Sequence, residues 1–365
     1  MAKVQGMKNA FLIKTPLQLL NAIEAKYYFN LDTDDCILVV MSDRKSLPQV
    51  LALINKINEW GTVIVLNEVS LFFGNPVINE NKTLHINYDL KSKILSKSVF
   101  NVHRLNRISH YLGSINYIFI GDVRYIYMKH FMNIVPHNEI VVLDDGIATI
   151  KIAEDRKKGV LENKNDSVIK KLKLYSKKIF QGVKNKSKNS LCFFTMFDVA
   201  PGENDRVIKN SFEHIRSAID LLPVSDEVYF IGSPVSETGI LSRDECFMHM
   251  RRVIKYFSNK KIIYIAHRRE SAEKLNMIKN DLNLSVVLFD YPIEYQLALI
   301  GPRPKVLASF VSTALDSCRL IFGSKLEIIS FKLNLTDSPK RELVEKIYMS
   351  YKSSINKHFN VISDY

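Results

Sequence analysis

Strand-length apolar runs alternate along this chain with segments whose apolar residues recur at three- and four-residue spacing, the pattern of parallel sheets covered by helices. Runs such as 36–41 (CILVVM) and 261–266 (KIIYIA) are the length of single strands. No segment approaches the roughly 20 apolar residues needed to span a bilayer. At 365 residues the chain can build two cores. The expected fold class is therefore α/β, with two Rossmann-like domains and mostly parallel sheets facing a central cleft. Strands are expected over 10–14, 37–41, 63–66, 117–120 and 140–143, with 191–197 a last strand or a bridge. The first helix should bury Leu17, Leu20, Ala22, Ile23 and Tyr27, with Thr15 as its cap and Pro16 in its first position. The alternation restarts with strands over 227–231, 261–266, 285–289, 305–308 and 326–331. Helices are expected over 244–257, 271–280, 294–300, 314–321 and 339–355. The domain division is expected between Asp198 and Asp226, giving domains 1–200 and 201–365.

Charge narrows the partners. Lys and Arg number 51 against 38 Asp and Glu, a net +13. From Arg156 to Lys188 twelve Lys or Arg face only Glu162 and Asp166, so a local excess of ten sits in one stretch. Within it Val168, Ile169, Leu172, Tyr175, Ile179 and Val183 fall at helical spacing between lysines, which predicts an amphipathic helix with a cationic face. Such a helix can rest on an anionic membrane surface, close over an anionic donor, or simply be solvated. A nucleic-acid partner is not expected, because the charge is local and lacks interleaved aromatics. The N-terminal residues lack the apolar core and cleavage site of a signal peptide, so cytoplasmic residence is the expectation. Cys36, Cys192, Cys246 and Cys318 have no metal or redox spacing and are expected to be buried thiols.

In open parallel sheets ligands bind beyond the carboxyl ends of the strands, so the polar residues there are the candidates. Asp144-Asp145-Gly146 follows an apolar run; one of two adjacent carboxylates can act as a general base, or both can cap a turn. Gly232-Ser233-Pro234 with Glu237 presents a Gly-Ser turn to a phosphate or sugar oxygen, or is an ordinary loop. His267-Arg268-Arg269-Glu270 offers an imidazole beside guanidinium groups, the donors a departing nucleotide phosphate needs. Ser312 and Thr313 of the run SFVST sit at a helix start, where phosphate binding and plain capping are equally served. Tyr291 and Glu294 stand where a strand runs into a helix and suit a base and ribose hydroxyls, or the helix dipole. P-loop, dinucleotide-binding, nucleophile-elbow and paired metal-ligand motifs are absent, and no D-x-D ends a strand, so no metal or other cofactor is expected.

Taken in order, Thr15-Pro16-Leu17-Gln18, Leu143-Asp144-Asp145-Gly146, Ile231-Gly232-Ser233-Pro234 with Glu237, Ala266-His267 and Ser309 to Thr313 resemble the bacterial sialyltransferases of glycosyltransferase family 52. That family makes lipooligosaccharide and capsule sialosides, and the resemblance spans about 9–331. It implies a GT-B-like fold, an N-terminal acceptor domain to which Thr15, Gln18 and Asp122 would contribute, a C-terminal CMP-sialic acid domain, and inverting transfer without a metal. It further implies Asp144 or Asp145 as base, His267 as the group that protonates or stabilises the phosphate of departing CMP, and Ser312 and Thr313 as the hydroxyl pair that holds it. Two positions depart from the pattern. The aspartate that follows G-S-P in the family's neisserial lipooligosaccharide enzymes, where it is a proposed general base, is Val235 here, which leaves Asp144, Asp145 and Glu237 as bases. The proline that usually follows the histidine is Arg268 here, which implies either a different loop geometry or an added phosphate contact.

The expected reaction moves sialic acid from CMP-Neu5Ac to a terminal galactoside of a bacterial surface glycan, with an α-2,3 link. The expected partners are CMP-sialic acid, a galactose-terminated and lipid-linked acceptor, an anionic membrane surface at the inner face of the cytoplasmic membrane reached through 156–188, and a second copy of the chain. Alternatives are a transferase of the same fold using another sugar nucleotide such as a UDP-hexose, because fold fixes neither donor nor base, and a non-enzymatic basic protein that binds nucleic acid.

Overall fold

The computed structural model describes residues 6–43, 46–66, 78–79, 83–84, 97–159, 182–217, 219, 222–335, 340–352 and 355–365. It divides into two compact units, Met1–Asn210 and Ser211–Tyr365. The amphipathic helix expected over 168–183 lies, up to residue 181, outside the described residues.

Among the described residues the first unit is one nine-stranded sheet in the order β4-β5-β3-β2-β1-β6-β7-β8-β9. Its centre is β1 (Asn9–Ile13), buried along its whole length and paired in parallel with β2 (Cys36–Val40) and β6 (Ile115–Ile120). Outward lie β3 (Thr62–Val65) and the short β4 (Ile78–Asn79) and β5 (Thr83–Leu84) on one side. On the other are β7 (His137–Leu143), β8 (Cys192–Thr195) and β9 (Arg206–Lys209). Every pairing is parallel except β4 with β5. Helices α1 (Pro16–Tyr28), α2 (Leu47–Ile57), α3 (Lys97–Leu112), α4 (Ile126–Ile134) and α5 (Ile147–Lys157) connect the strands. The start of α1 follows from its residues: Thr15 Oγ1 accepts the Gln18 N–H at 3.2 Å and Pro16 fills the first position. After β1 the chain first builds outward through β2 and β3, then returns to lay β6 on β1's other flank. The carboxyl ends of β1 and β6 are thus the point where strand order reverses, where a ligand crevice opens in such sheets.

The second unit has the order β12-β11-β10-β13-β14-β15, all parallel. The strands are β10 (Val224–Ile231), β11 (Ile262–Ile265), β12 (Ser285–Val287), β13 (Arg303–Ser309), β14 (Glu327–Phe331) and β15 (Phe359–Ile362). The order reverses between β10 and β13, so the loops after those two strands flank the second crevice. The helices are α6 (Glu213–Arg216), α7 (Arg243–Tyr256), α8 (Ala272–Asn280), α9 (Ile293–Tyr295, continued by a π turn over Gln296–Ile300), α10 (Thr313–Phe322) and α11 (Arg341–Lys352). Hydroxyl caps start three of them: Ser242 with Glu245 forms a full capping box on α7, Ser271 caps α8 and Ser312 caps α10. All four cysteines are buried and free.

The first unit ends at Asn210 rather than at residue 200 because β9 continues its sheet, pairing in parallel with β8 from Arg206 to Lys209. That strand is mostly solvent-facing, so its own residues carry no buried-strand pattern.

Candidate active site

At the first crevice the two adjacent aspartates after β7 separate into different environments. Asp144 is fully buried; its carboxylate accepts from Thr195 Oγ1 at 2.5 Å and from the Met196 N–H at 2.7 Å. Burial pushes its carboxyl up to about 6, against the pull of those hydrogen bonds. Its backbone carbonyl accepts from Asn21 Nδ2 at 3.3 Å. Asp145 is only partly buried. Its carboxylate stands 4.0 Å from Arg124 Nη2 and accepts from the Gln18 side chain, while its N–H donates to Thr149 Oγ1 at 3.0 Å. Burial, aided by the nearby Asp122 carboxylate, pushes Asp145 above the usual range; Gln18, Arg124 and Lys14 oppose the shift. Of the pair, Asp145 is the one a hydroxyl from solution can reach.

The residues expected to touch an acceptor mostly hold this loop system together. Gln18 is buried; its Oε1 accepts the Lys14 N–H at 2.7 Å and its Nε2 donates to the Gly121 carbonyl at 3.1 Å. It therefore joins the loops after β1 and β6 and braces Asp145, instead of presenting an amide to substrate. A Cβ on Gly121 would overlap the Gln18 amide, so the close approach requires glycine there. Thr15 is committed to the α1 cap. Asp122 is bound to Arg124, Nε to Oδ1 at 2.9 Å and Nη2 to Oδ2 at 3.3 Å. Lys14 Nζ lies 3.9 Å from the centre of the Tyr125 ring. Lys14, Arg124 and Tyr125 are residues the sequence reading passed over. Lys14 directly follows β1, and Arg124 and Tyr125 lie in the short loop between β6 and α4; their place in loops beyond strand ends was the available signal.

At the second crevice Ser233 donates to the Val311 carbonyl at 2.7 Å, tying the loop after β10 to the loop after β13. Pro234 and the buried Val235 complete that turn. The Ser312 N–H donates to Tyr351 Oη at 3.0 Å, the same hydroxyl donates to the Ser312 carbonyl at 2.7 Å, and Ser312 Oγ accepts the Ala314 N–H at 3.3 Å. This fixes the start of α10 next to Thr313, which stays partly exposed. The positive end of a ten-residue helix thus sits beside the Gly232-Ser233 turn.

His267 follows β11. Its N–H donates to Glu270 Oε2 at 2.7 Å and its Nδ1 accepts the Arg269 N–H at 3.1 Å. Burial, reinforced by the charges of Arg268, Arg269 and Lys274, pushes the imidazole down to about 4. The ring is therefore neutral near pH 7, and because Nδ1 is an acceptor the hydrogen-bond pattern assigns its proton to Nε2.

Two expected contacts are committed elsewhere. Glu237 Oε1 accepts the Ser271 N–H at 2.9 Å and Oε2 meets Lys274 Nζ at 3.4 Å, so this carboxylate braces two loops and is held below its ordinary value. Glu294 is buried, accepts from Ser317 Oγ at 2.5 Å, and is pushed up by burial against the pull of Arg268. Tyr291 lies 5.5 Å from the Tyr295 ring and is partly exposed. The structure thus gathers Thr15, Gln18, Asp122, Asp144 and Asp145 within the first unit. In the second it gathers Gly232, Ser233, Glu237 and His267 around one crevice, with Ser312 joined through Val311. Among the described residues no group of three or more His, Cys, Asp or Glu side chains could hold a metal ion. No helix among them is long and apolar enough to cross a membrane.

The model of the alpha-2,8-polysialyltransferase family matches residues 9–332 of this chain. A comparison with curated proteins finds no match. Among solved structures, the chain is similar to a 2,6-sialyltransferase of Vibrionaceae Photobacterium sp. JT-ISH-224, a ternary complex with the donor product CMP and the acceptor substrate lactose. Identity is 11%, the TM-score is 0.50, and 97% of this chain and 78% of that chain are covered. A UDP-GlcNAc 2-epimerase from Neisseria meningitidis bound to UDP-GlcNAc is 12% identical, covering 97% and 95%, with a TM-score of 0.46. The likeness to the Photobacterium enzyme shows the fold, the GT-B-like α/β architecture expected from the sequence.

Proposed function

Because the chain belongs to the alpha-2,8-polysialyltransferase family, and so to the sialyltransferases, we propose that it transfers sialic acid from CMP-Neu5Ac to a glycan acceptor with inversion and without a metal. The acceptor hydroxyl gives its proton to Asp145 as its oxygen bonds to the anomeric carbon. The bond from that carbon to the phosphate oxygen breaks, and the electron pair leaves with CMP. The growing phosphate charge is met by the His267 Nε2–H, the Gly232 turn, Arg268 and the start of α10 at Ser312 and Thr313. Asp144 holds the loop that carries Asp145. The observation that carries this reading is the split of the aspartate pair: one carboxyl is locked by Thr195 and Met196, while the other is partly exposed, raised above its ordinary value and adjacent to Arg124. A raised carboxyl is better matched to proton abstraction near neutral pH.

The family's description favours a sialic acid acceptor and an α-2,8 link, and the excess of ten cations over 156–188 suits an anionic glycan. A galactose-ended acceptor with an α-2,3 link is the second reading, favoured by the run of motifs shared with the lipooligosaccharide enzymes. The same cations also suit the anionic inner face of the cytoplasmic membrane. The deciding experiment incubates the protein with CMP-Neu5Ac in EDTA and offers lactose, 3′-sialyllactose or oligosialic acid. CMP release with an α-configured product supports the donor and the inverting course, and the productive acceptor fixes the link. Turnover of UDP-hexoses with no release of CMP would overturn the donor.

A further inference from the structure

Beneath the two loops of the second unit lies a charged cluster closed to solvent. The Lys274 side chain is 1% exposed and that of Glu270 is 0% exposed. Lys274 Nζ reaches Glu270 Oε1 at 2.8 Å, the Ser233 carbonyl at 2.9 Å and Glu237 Oε2 at 3.4 Å. Glu270 Oε1 also accepts from Tyr264 Oη at 2.7 Å, and its Oε2 accepts the His267 N–H at 2.7 Å. Glu237 closes the circuit by accepting the Ser271 N–H at 2.9 Å. The loop after β10 is thereby bound to the segment after β11 by Lys274, which reaches the Ser233 carbonyl and Glu237, and by the Ser271 N–H on Glu237, while Glu270 holds the Lys274 ammonium from the side of His267.

We infer that Lys274 and Glu270 are positioning residues that hold the His267 imidazole in register with the Gly232-Ser233 turn, so that the two donor-facing loops move as one piece. The inference deepens the sialyl-transfer reading and rests on it for the role of His267. Stability alone does not account for the pair, since a buried ion pair generally does no better than apolar side chains of similar volume. The cluster also explains the glycine at 232. A Cβ there would overlap the Glu270 carboxylate and come within 2.8 Å of Tyr264 Cε1 and Oη. The space a side chain would use is filled by the clamp. The charges facing His267 are Arg268, Arg269, Lys274 and Glu237, with Glu270 under its amide. Neutralising Lys274 therefore raises the imidazole's pKa as well as freeing the loops.

Removing one partner strands a buried charge and endangers folding, so the informative variant is the neutral double, Lys274→Met with Glu270→Gln. Its melting temperature, its Kd for CMP and the His267 titration by NMR, assigned against His267→Gln, are measured beside wild type. The expected result is a folded protein with CMP affinity weakened about tenfold or more and the His267 pKa raised, as loss of the Lys274 charge requires. A folded double variant with wild-type CMP affinity and an unchanged titration overturns the inference. Where the double variant does not fold, Glu237→Gln takes its place: it spares the buried pair, and the inference requires its His267 pKa to fall and its CMP affinity to weaken. No change in either overturns it. Wild type that fails to bind CMP would sink the donor reading, while the unliganded His267 titration would still decide the clamp.

Discussion

The Thr195 hydroxyl donates to the Asp144 carboxylate at 2.5 Å, which pins the end of β8 to the end of β7 and leaves Asp145 as the member of the pair that faces outward. Two identical side chains, adjacent in the chain, thus receive different tasks from their surroundings. Asp144 is fully desolvated and hydrogen-bonded to protein, whereas Asp145 is partly exposed beside Arg124.

Substituting each aspartate separates those tasks. Asp145→Asn keeps the shape and removes the base, so kcat is expected to fall about a hundred- to ten-thousandfold with little change in melting temperature. Asp144→Asn keeps a base at 145, but its amide group cannot accept from both Thr195 and Met196 as the carboxylate does. Its main cost is expected in stability, about 1–3 kcal/mol. CMP release kinetics and urea melts on both variants check the division, and equal kinetic losses would contradict it.

The same carboxyl makes stability depend on pH in a predictable sense. Asp144 is raised to about 6 from an ordinary 3.8, so the fold binds its proton more tightly than the unfolded chain. Its contribution is fully present below 3.8 and is lost as pH rises through 6. His130, buried between Asn106 Oδ1 at 3.2 Å and the Lys184 N–H at 2.9 Å, is pushed down to about 4 from 6.5 by burial. Its contribution is present above 6.5 and is lost as pH falls through 4. Each shift is worth about 3 kcal/mol, with opposite sign over nearly the same window. Asp144→Asn should therefore unmask a loss of stability on acidification, and His130→Gln a gain. Urea midpoints between pH 7 and 4 read both.

Gly121→Ala tests the brace between the loops after β1 and β6. The added methyl meets the Gln18 amide, which is buried and bonded to the Lys14 N–H and the Gly121 carbonyl. Overpacking of this kind costs about 1–3 kcal/mol. Because Gln18 also supports Asp145, kcat should fall with the melting temperature, and a second change, Gln18→Ala, should make room and recover part of the stability. A Gly121→Ala protein with the stability and turnover of wild type would show that the contact carries nothing.

Much of this architecture was legible because central strands announce themselves. β1, β2 and the end of β7 are buried on both faces, so their apolar runs are unbroken. β9 was not legible, as Arg206, Val207 and Lys209 are exposed and the strand exists through its partner β8. The candidate residues were visible because they end strands, but their tasks were not. Gln18 reads as a ligand contact until its partner Gly121, 103 positions away, is brought beside it. Lys274 carries no signal in the sequence, because a lysine on a helix such as α8 normally lies in solvent. Only the meeting of two loops turns it inward.

The neutral tautomer of His267 leads to a last prediction. With Nδ1 accepting from Arg269 and the ring held neutral by burial, the group offered to a phosphate at pH 7 is an N–H donor and not a cation. A glutamine amide can replace such a donor, whereas alanine cannot. His267→Ala should lower kcat about a hundred- to a thousandfold, and His267→Gln should retain much of the CMP affinity while losing turnover if the ring also gives up its proton. The bound phosphate should raise the imidazole pKa, so CMP binding near pH 5 should take up a proton in wild type beyond the uptake seen in His267→Gln. Calorimetry in buffers of different ionisation enthalpy counts that proton. Equal uptake in the two proteins would place the titrating group elsewhere.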